Sequence, residues 1–158
     1  MDRIDTSRYQ HSPFASVYLE LDQTPTKVIF DKIRYDSFDV NENGCFDFTN
    51  SRYNATKAGR LQINSTYCFS VINTFRLVYA FEVRRFNKSG VFVASKRNAQ
   101  RRTEFLAGDD FVASSSIVFA ADVGDYFDLV LFTDGDVTLR GNSTLPNKSN
   151  SVQFFYLP

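Results

Sequence analysis

The sequence predicts a single all-β domain, an antiparallel two-sheet sandwich or jelly roll. Three observations carry that reading. Apolar residues recur with period two over long stretches, turn-forming clusters interrupt them at short intervals, and no stretch has the apolar spacing of a useful amphipathic helix. At 158 residues the chain has the size of one domain, and roughly two-thirds of the surface of the unfolded chain is buried in a domain of that size. Hydrophobic residues make up 43% and charged residues 23%, a globular balance that excludes intrinsic disorder.

Taken in order, residues 1–26 are polar, carry Pro13 and Pro25, and contain one short apolar interruption, Val17-Tyr18-Leu19. They read as an extended arm, with room for one strand at that weakly alternating interruption, Tyr9, Phe14, Val17, Tyr18 and Leu19 as its anchoring side chains and residues 27–158 as the domain proper. The text then changes to KVIFDKIRYD from Lys27, dense in β-branched and aromatic residues and bounded by DVNENG, which predicts a first strand.

From Leu61 to Val83 the odd positions are apolar at ten of twelve places, whereas the even ones include Gln62, Asn64, Thr66, Ser70, Thr74, Arg76 and Glu82. That is the pattern of strands buried on one face. Twenty-three residues exceed the roughly ten of a long strand, so a turn near Asn73-Thr74 should divide the run in two. Asn87-Lys88-Ser89-Gly90 predicts a hairpin, with Gly90 free to adopt the positive φ such loops need. Tyr126 to Phe132 is apolar at both parities, as in a strand covered on both faces; one face is assigned to the core and the other to a neighbouring subunit. Asp134-Gly135-Asp136 turns the chain, and Val152 to Leu157 supplies a closing strand.

Aromatic content is the unusual feature: 17 Phe and 8 Tyr with no Trp, each ring able to bury roughly 150–250 Å². Such a payload implies either a ring-rich core or rings set in a subunit interface, where they are enriched; the second is the expectation. Eighteen basic residues balance eighteen acidic ones, so no global field draws nucleic acid or an anionic membrane. Locally, Arg84, Arg85, Lys88, Lys96, Arg97, Arg101 and Arg102 are uninterrupted by an acid, and residues 104–136 then hold eight acids without a base. Two such blocks can meet across an interface or lie solvated on loops and strand faces, and the second is the commoner case.

The N-terminus lacks the apolar stretch of a signal peptide, and no apolar run approaches the roughly 20 residues of a membrane helix. The five sequons beginning at Asn54, Asn64, Asn87, Asn142 and Asn147 therefore read as the consequence of an Asn/Ser/Thr-rich chain. Cys45 and Cys68 lack metal-site companions and read as buried or semi-buried thiols.

The order of elements resembles the C1q-like globular domain, the jelly roll shared with the tumour necrosis factor family. Thr26-Lys27-Val28-Ile29-Phe30-Asp31 looks like the family's opening strand, and Arg52-Tyr53-Asn54-Ala55-Thr56 followed by Gly59-Arg60-Leu61 resembles its turn into the central strand. Phe86-Asn87-Lys88-Ser89-Gly90 is similar to its hairpin, Val123-Gly124-Asp125-Tyr126 through Phe132 to its glycine-aspartate strand, and Phe154-Phe155-Tyr156-Leu157 to its last strand. The match spans residues 26–158, and the order and spacing of individually weak motifs carry it. No collagen-like stalk precedes the domain and Leu61 stands where the family has an aromatic residue, which argues against a complement- or adipokine-type protein. The resemblance implies a homotrimer with rings packed along its axis. The candidate interface set is Tyr67, Phe69, Tyr126, Val130, Phe132, Phe154 and Tyr156.

Catalytic chemistry is not expected. His11, the only histidine, lies in the arm, and no phosphate loop, metalloprotease helix or paired-cysteine zinc pattern occurs. Asp134 and Asp136 are a candidate calcium pair, as in some C1q-like domains, but a solvated turn explains them better. Phe86 and Phe92 within the basic run suit single-stranded nucleic acid, yet the zero net charge and the lack of a motif argue against such a partner.

The expected function is that of a virion structural protein without cofactors, assembled in a host cytoplasm: a trimeric capsid decoration or cement protein, its arm anchoring it to the shell. Stalkless members of the resembled family occur in bacteriophages. The competing expectation is a phage fibre tip or receptor-binding head gripping a glycan or protein through loops around Asn41 to Asn50, Lys96 to Arg102 and Asn142 to Ser151.

Overall fold

The computed structural model describes residues 14–72, 76–104, 108, 110–145 and 150–158, and for residues 98–103 the backbone alone. Among the described residues, twelve strands form two antiparallel sheets. One sheet runs in the order β9 (Asp110–Ala121), β6 (Gly59–Val71), β12 (Ser151–Leu157), β1 (Ala15–Tyr18), β3 (Ser37–Asn41). Leu61 pairs with both Phe119 and Tyr156, and Phe69 with both Phe111 and Leu139, so β11 (Val137–Leu139) continues the line of β12 along the same edge of β6. The second sheet runs β8 (Phe92–Glu104), β7 (Arg76–Phe86), β10 (Tyr126–Thr133), β5 (Arg52–Asn54), β4 (Phe46–Asp47), and β2 (Phe30–Lys32) lies beyond β5 on the same edge of β10.

The alternating run from Leu61 divides as expected: β6 ends at Val71, β7 begins at Arg76, and the two belong to opposite sheets. The expected turn at Asn73-Thr74 lies outside the described residues. Period two explains the result, because strands of either sheet need one apolar face toward the same core. Leu61, Ile63, Tyr67, Phe69 and Val71 meet Leu77, Tyr79, Phe81 and Val83 across it. The hairpin joining β7 to β8 closes at Asn87–Gly90: the Asn87 Oδ1 accepts from the Ser89 and Val91 amides, and Gly90 has φ +81°.

Two expectations need correction here. Residues 14–19 are not an arm: β1 lies inside the sheet between β12 and β3, with Ala15 opposite both Phe154 and Asn41. Val17 and Leu19 are buried, Tyr18 is half-buried at the strand's end, and Phe14 packs on the core. Four residues give too short a pattern to signal a central strand, which is fixed by its neighbours. Pro25 falls outside β1, where a missing amide breaks no ladder. Tyr9 lies outside the described residues.

The second correction concerns residues 27–36, which make only the three-residue strand β2. The Asp31 carboxylate accepts from the Thr26 and Lys32 amides and the Asp36 carboxylate from those of Glu20 and Leu21. Ile33 and Tyr35, both buried, carry the chain from one sheet to the other.

The rings fill the interior. Tyr53 stacks on Phe154 at 4.2 Å between centroids and Tyr67 on Phe81 at 5.1 Å, and Phe119 packs against Phe127. Each of these pairs joins the two sheets. Much of the aromatic content that suggested an interface is therefore packed in the core of one chain, while Phe38 and Phe92 stay exposed.

Candidate functional site

The candidate interface rings divide by strand parity. Tyr67, Phe69, Phe154 and Tyr156 point into the core and are at most 6% exposed. They have no surface to lose to a neighbour, which removes them from an interface. Val130, Tyr126 and Phe132 point outward from β10, yet their own chain covers this face. Val130 is buried, the Phe132 ring packs on Phe30 at 5.4 Å, and Tyr126 stacks on Phe86 at 5.0 Å with the Arg52 guanidinium 4.4 Å from its centroid.

Above Phe30 lie the guanidinium groups of Arg84 and Arg97, at 4.7 and 5.0 Å from its centroid. Both bind the buried Glu82: Arg84 Nε donates to Oε1 at 2.7 Å, and Arg97 Nη2 to Oε2 at 3.0 Å. Burial opposes the ionisation of Glu82, but the hydrogen bonds and charges of the two arginines outweigh it and hold the carboxyl below its usual range. Lys32 pairs with Asp128 at 3.0 Å beside them. This covering layer is why β10 is apolar at both parities, and no second subunit is required to explain it.

Several members of the two charge blocks are likewise paired within the chain. Arg85 binds Asp125 at 2.6 Å and Asp122 at 3.0 Å, and Lys96 donates to the Val118 carbonyl of the facing edge strand β9. Residues 96–102 are not a loop but part of strand β8. Asp134 accepts from the Val78 amide and Asp136 pairs with Lys27 at 3.0 Å. These two carboxylates act as turn and surface groups, and no group of three metal-ligating side chains occurs among the described residues. Cys45 and Cys68 are free and buried, and burial pushes both thiols up, that of Cys68 to about 11.

The outer face of the β9–β6–β12 sheet is different in kind. Outward positions at its centre are Asn64 and Thr66 on β6, Ser114 and Ser116 on β9, and Ser151 and Gln153 on β12, joined by the strand register. These mostly short side chains leave a hollow of about 490 Å³. Its base is ordered: Ser116 Oγ donates to Asn64 Oδ1 at 2.7 Å, and Gln62 Nε2 donates to Asn64 Oδ1 at 2.9 Å. Val112, 60% exposed, and the half-buried Val118 and Phe155 lie on the same outward face. Reading the sequence for rings missed this surface, although the polar even positions from Gln62 and the run Ser114-Ser115-Ser116 mark it.

Comparison with known proteins agrees with the architecture. The globular domain of zebrafish complement 1qA protein superposes with a TM-score of 0.60 at 11% identity, over 91% of this chain and 96% of that one. Eiger TNF from S. frugiperda superposes with a TM-score of 0.62 at 10% identity, over 93% and 94%. No family model matches the sequence, and no curated protein matches it significantly. The fold is thus the jelly roll of C1q and tumour necrosis factor.

Proposed function

We propose that this chain is a structural protein that acts by self-association and not by catalysis, assembling as a homotrimer through the outer face of the β9–β6–β12 sheet. One observation carries the reading: that face presents Thr66, Ser114, Ser116 and Ser151 around an open hollow, whereas the other sheet's outer face is occupied by its own arginines and rings. Short side chains let a neighbouring surface approach the sheet backbone closely, and Val112 and Phe155 offer apolar area beside them. The likeness to C1q and tumour necrosis factor folds supports threefold assembly.

Within that class the trimer serves as a decoration or cement protein of a virion, with a capsid protein as its second partner. Binding the assembled shell alone stabilises the shell by mass action. Because β1 is paired in the sheet, residues 15–18 are not available as a tether. The test is gradient sedimentation of the chain with assembled shells from the same source: it travels with the shells if the proposal holds, and a chain left at the top contradicts it.

A fibre-tip role is favoured by one observation, the rigid bracing of the Asn41–Asn50 segment. Asn41 donates to the Phe46 carbonyl and accepts from its amide, and Asp47 binds both the amide and the side chain of Asn50. Pre-organised loops of this kind limit the ordering cost of binding.

A further inference from the structure

Phe14 and Tyr156 were expected to serve an arm and an interface, and the fold instead brings their rings together. Their centroids lie 5.0 Å apart with planes at 81°, forming two walls of a corner. The ammonium of Lys57 occupies it, 4.8 Å from the Phe14 centroid and 4.6 Å from that of Tyr156. No carboxylate pairs with Lys57 among the described residues, so the two ring faces are its counter-charge. An ammonium held by ring quadrupoles marks an environment suited to cations.

The corner is held independently of the Lys57 side chain. The Phe14 amide donates to the Phe154 carbonyl and its carbonyl accepts from the Glu42 amide, both at 2.9 Å, which fixes the first ring between two elements. The second ring is 6% exposed and anchored by Tyr156 Oη, which donates to the Lys57 carbonyl at 3.0 Å. Lys57 itself is exposed, and its stem is free to swing outward while its backbone stays bound.

We infer that Phe14 and Tyr156 form a cation site for a trimethylammonium group, with the Lys57 side chain as its removable plug. A trimethylammonium carries its charge over an apolar surface, sheds water more readily than a lysine ammonium, and gains more from two ring faces. The inference does not depend on the oligomeric state.

The test follows the ring proton signals of Phe14 and Tyr156 by NMR during titration with tetramethylammonium chloride, against sodium chloride at equal ionic strength. Lys57→Ser should show saturable shifts, and the wild-type chain should bind about tenfold more weakly because the plug competes. Lys57→Ser combined with Phe14→Leu, which keeps the apolar volume, should lose saturation. Absence of saturable shifts in folded Lys57→Ser overturns the site, and equal binding by the wild-type chain overturns the plug. Choline and phosphatidylcholine vesicles then distinguish sources: saturation by choline alone supports a soluble ligand, and saturation by both supports a lipid headgroup.

Discussion

The side-chain amide of Asn150 pairs with both backbone polar groups of Cys68. Its Oδ1 accepts from the Cys68 amide at 3.0 Å, and its Nδ2 donates to the Cys68 carbonyl at 2.6 Å and to the Arg140 carbonyl at 2.8 Å. β12 pairs with β6 as far as Thr66, and β11 takes over at Phe69. Asn150 supplies the missing rung, acting as a peptide group at a site only 1% exposed.

Replacing it by alanine should therefore take away the partner of the Cys68 amide and of the Arg140 carbonyl, at about 1–3 kcal/mol each, while the Cys68 carbonyl keeps the Arg140 amide at 3.0 Å. Asn150→Ala is expected to lower the unfolding free energy by about 3 kcal/mol in urea titrations. A loss below about 0.5 kcal/mol, the size of an ordinary surface change, would mean that the gap is bridged otherwise.

The division of the rings gives a second contrast. Phe154 stacks on Tyr53 in the core with no exposed surface, so Phe154→Ala should cost about 3–5 kcal/mol. Phe92, 54% exposed on edge strand β8, should cost less than about 1 kcal/mol when truncated. Denaturant midpoints of the two variants at one concentration check the difference.

Arg85 and the buried Asp125 seal one end of the sandwich. Removing the guanidinium strands a carboxylate at a position only 3% exposed, so Arg85→Ala should destabilise by about 3–5 kcal/mol. The double variant Arg85→Ala with Asp125→Ala should recover part of that loss in thermal unfolding.

Glu82 sets an acid dependence. Its carboxyl titrates below the ordinary value of 4.5 in the folded chain, so the folded state binds fewer protons at this group than the unfolded state. Its contribution is present above the unfolded-state value and is lost as pH falls through the lower folded-state value. Glu82→Gln, less stable near neutrality, should show a shallower fall in stability from pH 5 downward, roughly the window of carboxylate loss. Urea unfolding across that range reads the slope.

The position of β1 predicts two truncation outcomes. Deleting residues 1–13 leaves every described strand intact and should preserve the thermal midpoint. Deleting residues 1–25 removes a central strand, including Ala15 and Val17 at 0% exposure, and should abolish cooperative unfolding.

Much of the fold was legible because burial writes itself on strands with period two, as from Leu61 to Val83, and because Asn87-Lys88-Ser89-Gly90 has the chemistry its turn requires. The use of the rings was not legible. Tyr67 and Phe154 give the same apolar pattern whether the second face belongs to their own chain or to another, and only tertiary pairing decides. β10 misled for a related reason: Val130 is buried within its own chain and Phe132 packs on Phe30, a residue distant in sequence. Conversely, Ser114 and Ser116 gave no signal, since a hollow shaped by short side chains has no hydrophobic signature.

The central claim is that copies of the chain meet over Ser114, Ser116 and Thr66. Light scattering on the eluting protein at micromolar concentration measures it directly, for the wild-type chain and for Ser116→Arg, whose long cation would fill the hollow without entering the core. The account predicts three times the 18.1 kDa chain mass for the first and a single-chain mass, with unchanged circular dichroism, for the second. A wild-type chain that elutes at its single-chain mass, or a Ser116→Arg variant that stays trimeric, would contradict it.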